Sequence, residues 1–175
     1  MGTGILICGL NGAGKSTLGR ALAEELRFYF IDTEDLYFPK ADPLNPYATT
    51  RTHQEAEALL SREIQAHPKF VLASVKGAWS EAVTASFRAV ALLSAPKEVR
   101  LQRVKDRSFL QFGKRMLPGG DLYEQEKAFF DLVRSRTEGP VKEWITSLPC
   151  PHVLLDGTRP IPENVALLKT FLQTR

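Results

Sequence analysis

At 175 residues, 43% hydrophobic and 25% charged, the chain has the length for one substantial core and the composition expected of a soluble globular domain. Its net charge of +3 is mild, with Lys and Arg dispersed and densest between Lys97 and Arg115, short of the basic stripe of a nucleic-acid protein. No apolar run approaches membrane-spanning length and no basic-then-apolar signal segment opens the sequence, so the expected setting is cytoplasmic with no membrane partner. The two cysteines, Cys8 and Cys150, make no disulfide framework, and Cys150-Pro151-His152 lacks the further ligands of a zinc site.

The first element is a short apolar run, Ile5 to Cys8, as in a strand buried on both faces. It leads into Gly9-Leu10-Asn11-Gly12-Ala13-Gly14-Lys15-Ser16, which fits the phosphate-loop pattern of glycine, four residues, glycine, lysine, serine. Leu18, Ala21, Leu22 and Leu26 then fall three and four apart, predicting a helix from Lys15 to Arg27. Strand, loop and helix are the context this motif requires. Consecutive backbone N–H groups at a helix N-terminus form an anion site. Glycines let the backbone close around phosphate oxygens. Lys15 is expected to reach the β- and γ-phosphates of ATP, and Ser16 to place its hydroxyl on Mg²⁺. Asn11, Gly12, Ala13, Gly14, Lys15, Ser16 and Thr17 are the candidate nucleotide-binding residues.

Phe28 to Ile31 reads as a second strand, followed by Asp32-Thr33-Glu34-Asp35 at its C-terminal edge, where open α/β sheets bind ligands. Asp32 is the candidate metal ligand or base; Glu34 and Asp35 are candidates for substrate contact. Leu36 to Thr50, rich in Pro and aromatics, reads as an irregular lobe over the site. Thr52 with Glu55 forms a capping box for a helix carrying Ala56, Leu59, Leu60 and Ile64 on one face. Phe70 to Ala73 is a third buried strand, with Lys76 near its ligand edge as a candidate for an anionic acceptor.

A short helix is expected from Ser80 to Phe87 and a fourth strand from Ala89 to Leu93. Pro96 opens a helix to about Arg107 that carries Arg103 and Arg107 four apart, hence on one face. Ser108 to Gly120 reads as a mobile flap containing Arg115, a further candidate for substrate contact. Asp121 and Glu124 are expected to cap a helix with Ala128, Phe129, Leu132 and Val133 inward, ending near Arg134 and Arg136, with Gly139-Pro140 as a break. A short helix around Trp144, a fifth strand from His152 to Leu155 and a last helix opened by Pro162 complete the pattern. Alternating strands and helices predict a parallel sheet covered on both faces.

The chain resembles the small P-loop kinases of the adenylate, shikimate and gluconate kinase group. The likeness lies in Gly9 to Thr17, in Asp32-Thr33-Glu34 after strand 2, and in Arg103 with Arg107. Gly113 to Asp121 is similar to the lids of uncharacterised bacterial ATP-binding proteins. The resemblance implies a P-loop three-layer sandwich with a five-stranded parallel sheet in order 2-3-1-4-5. It also implies one domain over 1–175, with an acceptor lobe at about 33–67 and a lid at about 108–136. The implied activity is transfer of a phosphoryl group from ATP, with Mg²⁺, to a small metabolite or nucleotide by a monomer or weak homodimer. In this family the first acid helps hold the metal or activate the acceptor hydroxyl. The first lid-entry arginine, here Arg103, packs on adenine and the second, Arg107, contacts phosphates, with Arg134 and Arg136 at the lid's far end. Strand 3 ends in Ser74-Val75-Lys76 rather than Asp-Gly, which argues against AMP as acceptor. The alternative is an ATP-binding regulatory ATPase or switch without a small acceptor.

Overall fold

The computed structural model describes residues 3–75 and 79–174. In chain order it comprises β1 (Gly4–Cys8), α1 (Lys15–Leu26), β2 (Tyr29–Asp32), α2 (Thr33–Tyr37), α3 (His53–Ala66), β3 (Phe70–Ser74), α4 (Glu81–Thr84) and β4 (Phe87–Ser94). Then come α5 (Lys97–Phe112), a 3-10 turn (Gly113–Met116), α6 (Tyr123–Ser135), α7 (Gly139–Thr146), β5 (His152–Asp156) and α8 (Ile161–Gln173).

The five strands pair in parallel in the order β2-β3-β1-β4-β5, as the resemblance implied. Every residue of β1 and β3 is buried, which is why both read as unbroken apolar runs rather than alternating ones. Side chains alternate across the sheet. Leu6, Leu72, Val90 and Leu92 pack with Leu36, Leu60 and Ile145 of α2, α3 and α7. Ile5, Ile7, Val71 and Leu93 pack on the other face with Leu18 and Leu22 of α1 and Leu168 of α8. The Thr52–Glu55 capping box forms in both directions and fixes the start of α3. Parallel pairing brings Cys8, Asp32, Ser74, Ser94 and Asp156, the last residues of the five strands, to one edge of the sheet. The loops that carry chemistry leave from that edge.

Several boundaries differ from expectation. Asp32 ends β2, and its side chain accepts from the Glu34 N–H to cap α2, so the lobe opens with a helical turn where an irregular segment was expected. The helix expected at Ser80–Phe87 shrinks to α4, because Phe87 already pairs with Gly4 in the sheet. The expected flap from Ser108 is helical to Phe112 and continues as the 3-10 turn, with Ser108 and Phe112 buried. Asp121 does not cap α6; its carboxylate is taken by Arg115. Leu132 and Ala128 of α6 face solvent, and Glu126 and Val133 are the residues it buries. Gly139 and Pro140 do not lie between helices but form the first turn of α7, where proline's missing N–H costs nothing.

Candidate functional site

The phosphate loop is shaped by close approach. Gly12 has φ +82°, and a Cβ there would stand 2.3 Å from the Arg100 carbonyl oxygen of α5. Gly9 has φ +152°, and a Cβ there would meet the Leu93 carbonyl of β4 at 2.3 Å. Both positions combine a left-handed backbone with a wall of main chain, so only glycine fits. The loop closes on itself where the Ala13 N–H donates to the Leu10 carbonyl (3.1 Å), and α1 starts as the Leu18 N–H donates to Gly14 (3.0 Å).

Lys15 reaches back over this loop and donates to the Leu10 carbonyl at 3.2 Å. Burial pushes its ammonium down to about 8; the carboxylates of Asp32 and Glu34 pull upward and the Arg107 guanidinium pushes further down. The same burial drives the Cys8 thiol beneath the loop up to about 12, against the pull of Lys15. Cys8 is therefore a neutral core residue. Asp32, Glu34 and Arg107 thus each act on the Lys15 ammonium, although the four come from separate elements.

Asp32 uses one carboxylate oxygen as the α2 cap (3.0 Å to the Glu34 nitrogen) and makes no hydrogen bond with the other among the described residues. The Ser16 and Thr17 hydroxyls in the first turn of α1 likewise make no hydrogen bond there. A hydroxyl and a carboxylate oxygen are hard donors of the kind Mg²⁺ takes together with phosphates. No group of three or more His, Cys, Asp or Glu side chains able to hold a metal occurs among the described residues. An ion here would draw the rest of its shell from the nucleotide and water.

Arg103 donates through Nη1 to the carbonyls of Gly12 (3.3 Å), Ala13 (3.4 Å) and Gly157 (3.0 Å). It ties the loop to the turn after β5. Arg136 donates to the Asn11 Oδ1 at 2.6 Å, and burial lowers its guanidinium pKa. These two arginines and Asn11 are brought to the loop. Glu34 accepts from the Tyr47 hydroxyl (3.1 Å) and lies 3.5 Å from Lys40, which also pairs with Asp35. Burial, then Glu34, raises the Tyr47 phenol, while Arg107 lowers it. Tyr47 joins the site, and its place in a proline-rich stretch gave no sign of that.

The other candidates fall elsewhere. Arg115 forms a two-pronged pair with Asp121 (2.6 and 3.0 Å) and donates to the Leu44 carbonyl (2.5 Å), so it sits on the seam between the lobe and the α5–α6 arm. Arg134 is exposed and pairs with Asp131 of its own helix; none of its hydrogen bonds reaches the loop. Lys76 lies outside the described residues. Conversely, Arg100 is 4% exposed and donates to Ala95 (3.1 Å) and to the Asn11 carbonyl (3.3 Å), holding the back of the loop. In the sequence Arg100 is one more charge on an amphipathic helix, and nothing there marks it as buried.

A family model described as an AAA domain matches residues 5–109, more than half of the chain. The chain belongs to the AAA domain family. This AAA domain is 28% identical over 178 residues to the uncharacterized protein YqaC of Bacillus subtilis (strain 168), covering 97% of both. Its fold is that of small P-loop kinases. A shikimate kinase from Bacteroides thetaiotaomicron superposes with TM-score 0.59 at 16% identity, over 98% of each chain. A deoxyadenosine kinase from M. mycoides with bound dCTP superposes with TM-score 0.59 at 14% identity, over 98% of this chain and 100% of the other.

Proposed function

We propose that this AAA domain is a kinase that moves the γ-phosphoryl group of ATP to a hydroxyl of a small metabolite or nucleotide. The carrying observation is the phosphate loop walled by main chain, with Lys15 folded back over it at the sheet edge where β2 ends in Asp32. Phosphoryl transfer needs little covalent chemistry from a protein; it needs positioned positive charge on the phosphates and an oriented acceptor. The loop amides and Lys15 hold the β- and γ-phosphates. A polyphosphate also replaces the Leu10 carbonyl as partner of the Lys15 ammonium and draws its pKa back up. Magnesium, held by Ser16 and Asp32 with the phosphates, supplies charge neutralisation when bound.

Asp32 receives or orients the acceptor hydroxyl proton, with Glu34 and Tyr47 lining the acceptor side. Arg107 and Arg136 bring charge to the transferred group from the arm over the site. The lobe (33–67) and the lid (108–136) close on each other and exclude water, which is otherwise a competing acceptor. Support for closure comes from their contacts: Asn45 and Gln125 exchange side-chain hydrogen bonds (3.0 and 3.3 Å), and Arg115 reaches Leu44. Support for a kinase over a bare switch comes from Asp32 and Glu34 standing where β2 meets the lobe, with Tyr47 of the lobe on Glu34; β3 ending in Ser74-Val75 without an aspartate is what a switch would share. Coupled-assay ATP turnover with a panel of sugars, hydroxy acids and nucleosides tests the proposal. A kinase hydrolyses ATP slowly alone and accelerates at least about tenfold with one acceptor class, as expected when acceptor binding completes the site. Turnover indifferent to every acceptor favours the switch.

A further inference from the structure

The phosphate loop and the acceptor lobe leave one large feature without a role. A cavity of about 770 Å³ lies behind the loop at the outer edge of β4 and β5. Gly14, Lys15, Ser16, Asp32 and Arg107 are not among the described residues that line it, so it is separate from the phosphate-facing side. Its walls are largely apolar. Leu10 forms part of the lining, and Leu154 of β5 and Leu167 of α8 flank it at 62% and 45% exposure. One exposed leucine on a surface means nothing, but two bordering the same concavity, with Leu10 and Pro96 beside them, make an apolar recess of ligand size.

The polar groups of the recess are unevenly spent. Its acids are already satisfied: Glu138 accepts from the Ser94 hydroxyl (2.6 Å) and pairs with Lys142 (3.1 Å), and Asp156 accepts from the Thr158 N–H (2.8 Å) and hydroxyl (2.6 Å). Its cations are less fully engaged: Arg100 acts on Glu138 and Arg159 on Asp156 through charge alone. Lys97 makes no hydrogen bond or ion pair with any described residue. Arg159 contacts Glu163 at 4.0 Å and helps hold the Asp156 carboxyl below its ordinary range, without a side-chain hydrogen bond to it. Arg100 commits Nε to Ala95 and Nη1 to Asn11 and leaves Nη2 without a described partner. Three cations face two acids, so what remains on offer is one net positive charge, with Lys97 the unengaged cation, beside an apolar wall.

We infer that this cavity binds a small anion with an apolar body, the chemistry of an aryl or alkyl carboxylate, sulfonate or phosphate ester, and that its occupancy is felt at the phosphate loop. The path is short. Arg100 lines the cavity and holds the Asn11 carbonyl, while Thr137 and Glu138 line it immediately after Arg136, which holds the Asn11 side chain. An anion drawing on Arg100 or shifting the Arg136–Glu138 turn changes how Asn11 is held from both sides. Binding at the two sites is then reciprocal. The site itself does not depend on the kinase reading; only the coupling depends on the loop binding nucleotide.

The probe is 8-anilinonaphthalene-1-sulfonate, an aromatic body with one fixed anion, titrated into the full-length protein without nucleotide, with circular dichroism and melting curves confirming a folded chain. Saturable one-to-one binding is expected. Leu154→Asp and Lys97→Glu should each weaken it about tenfold, Leu167→Asp serving if Leu154→Asp does not fold, whereas Lys15→Ala should leave it within about twofold. Saturating MgATP should move the probe's affinity by about threefold or more. No saturable binding, binding indifferent to Leu154→Asp, Leu167→Asp and Lys97→Glu, or binding lost with Lys15→Ala overturns the site. Unchanged affinity under MgATP in a protein shown to bind MgATP overturns the coupling. A protein that takes up the probe but no nucleotide contradicts the kinase reading alone.

Discussion

The phosphate loop and the lobe–arm seam face the same space but are built in opposite ways. The loop is over-determined: two glycines stand against main-chain carbonyls, and Arg100, Arg103 and Arg136 pin three of its residues. The seam is a handful of polar contacts, the Asn45–Gln125 amide pair, Arg115 on Asp121 and Leu44, and Tyr47 packing edge-on to Phe112. Partly or fully exposed polar pairs of this kind contribute little stability each. A phosphate site benefits from amides fixed before the ligand arrives, whereas a cover must let acceptor and product pass. The molecule spends its rigidity on the first and keeps the second weak.

The comparison breaks first at Lys15. Lys15→Ala should lower ATP turnover at least about 100-fold, since a positioned charge in phosphoryl transfer is worth several kcal/mol. The nucleotide-free variant should also melt higher than wild type. A lysine whose pKa falls from 10.5 to about 8 on folding carries a cost that is fully present below pH 8 and fades towards pH 10.5. Lower turnover with a lower melting temperature would mean that the lysine is a structural prop instead.

Gly12→Ala attacks the same region through sterics. Its Cβ would stand 2.3 Å from the Arg100 carbonyl at a φ of +82°, so a loss of about 2–4 kcal/mol is expected by chemical denaturation. A change under about 0.5 kcal/mol would show the loop to be pliable.

A finer test uses pH. Because nucleotide binding restores the charge on Lys15, affinity for ATP should fall as pH rises through about 8, with proton uptake on binding visible as buffer-dependent calorimetric heat near that pH. The smallest stability effect belongs to the seam. Arg115→Ala and Asn45→Ala should each cost under about 1 kcal/mol of stability, yet raise basal ATP hydrolysis relative to transfer, since a looser cover admits water. Loss of several kcal/mol would mean that the seam is structural core rather than cover.

The legibility of the chain follows the same division. The loop and the five strands were readable because they rest on local pattern, an apolar run, a glycine spacing, a capping box; the strand order came from the family resemblance, since pairing across the sheet is not local. Arg103 and Arg136 were readable as cations near the site, but not their partners, because a guanidinium meeting Gly157 or Asn11 depends on where α5 and α6 return in space. Arg100 and Tyr47 were missed for that reason: burial of an arginine is decided by the loop that comes to cover it. The arm misled through composition. Glycine and basic residues between Ser108 and Gly120 suggested a flap, yet Ser108 and Phe112 are buried and carry α5 four residues beyond Ser108. In α6, Val133 is buried as its spacing suggested, but the apolar Leu132 faces solvent while Glu126 is buried, so the buried face is turned away from the one its periodicity marked.

The central claim is that the loop and Lys15 together grip a polyphosphate. Isothermal titration of MgATP into wild type and Lys15→Ala, at pH 7, addresses it directly. The account predicts one site with micromolar to low-millimolar affinity in the wild type, weakened at least about tenfold by the substitution, as loss of a charge-assisted contact implies. Equal affinities in the two proteins, or no heat of binding in the wild type with any purine triphosphate, would contradict it.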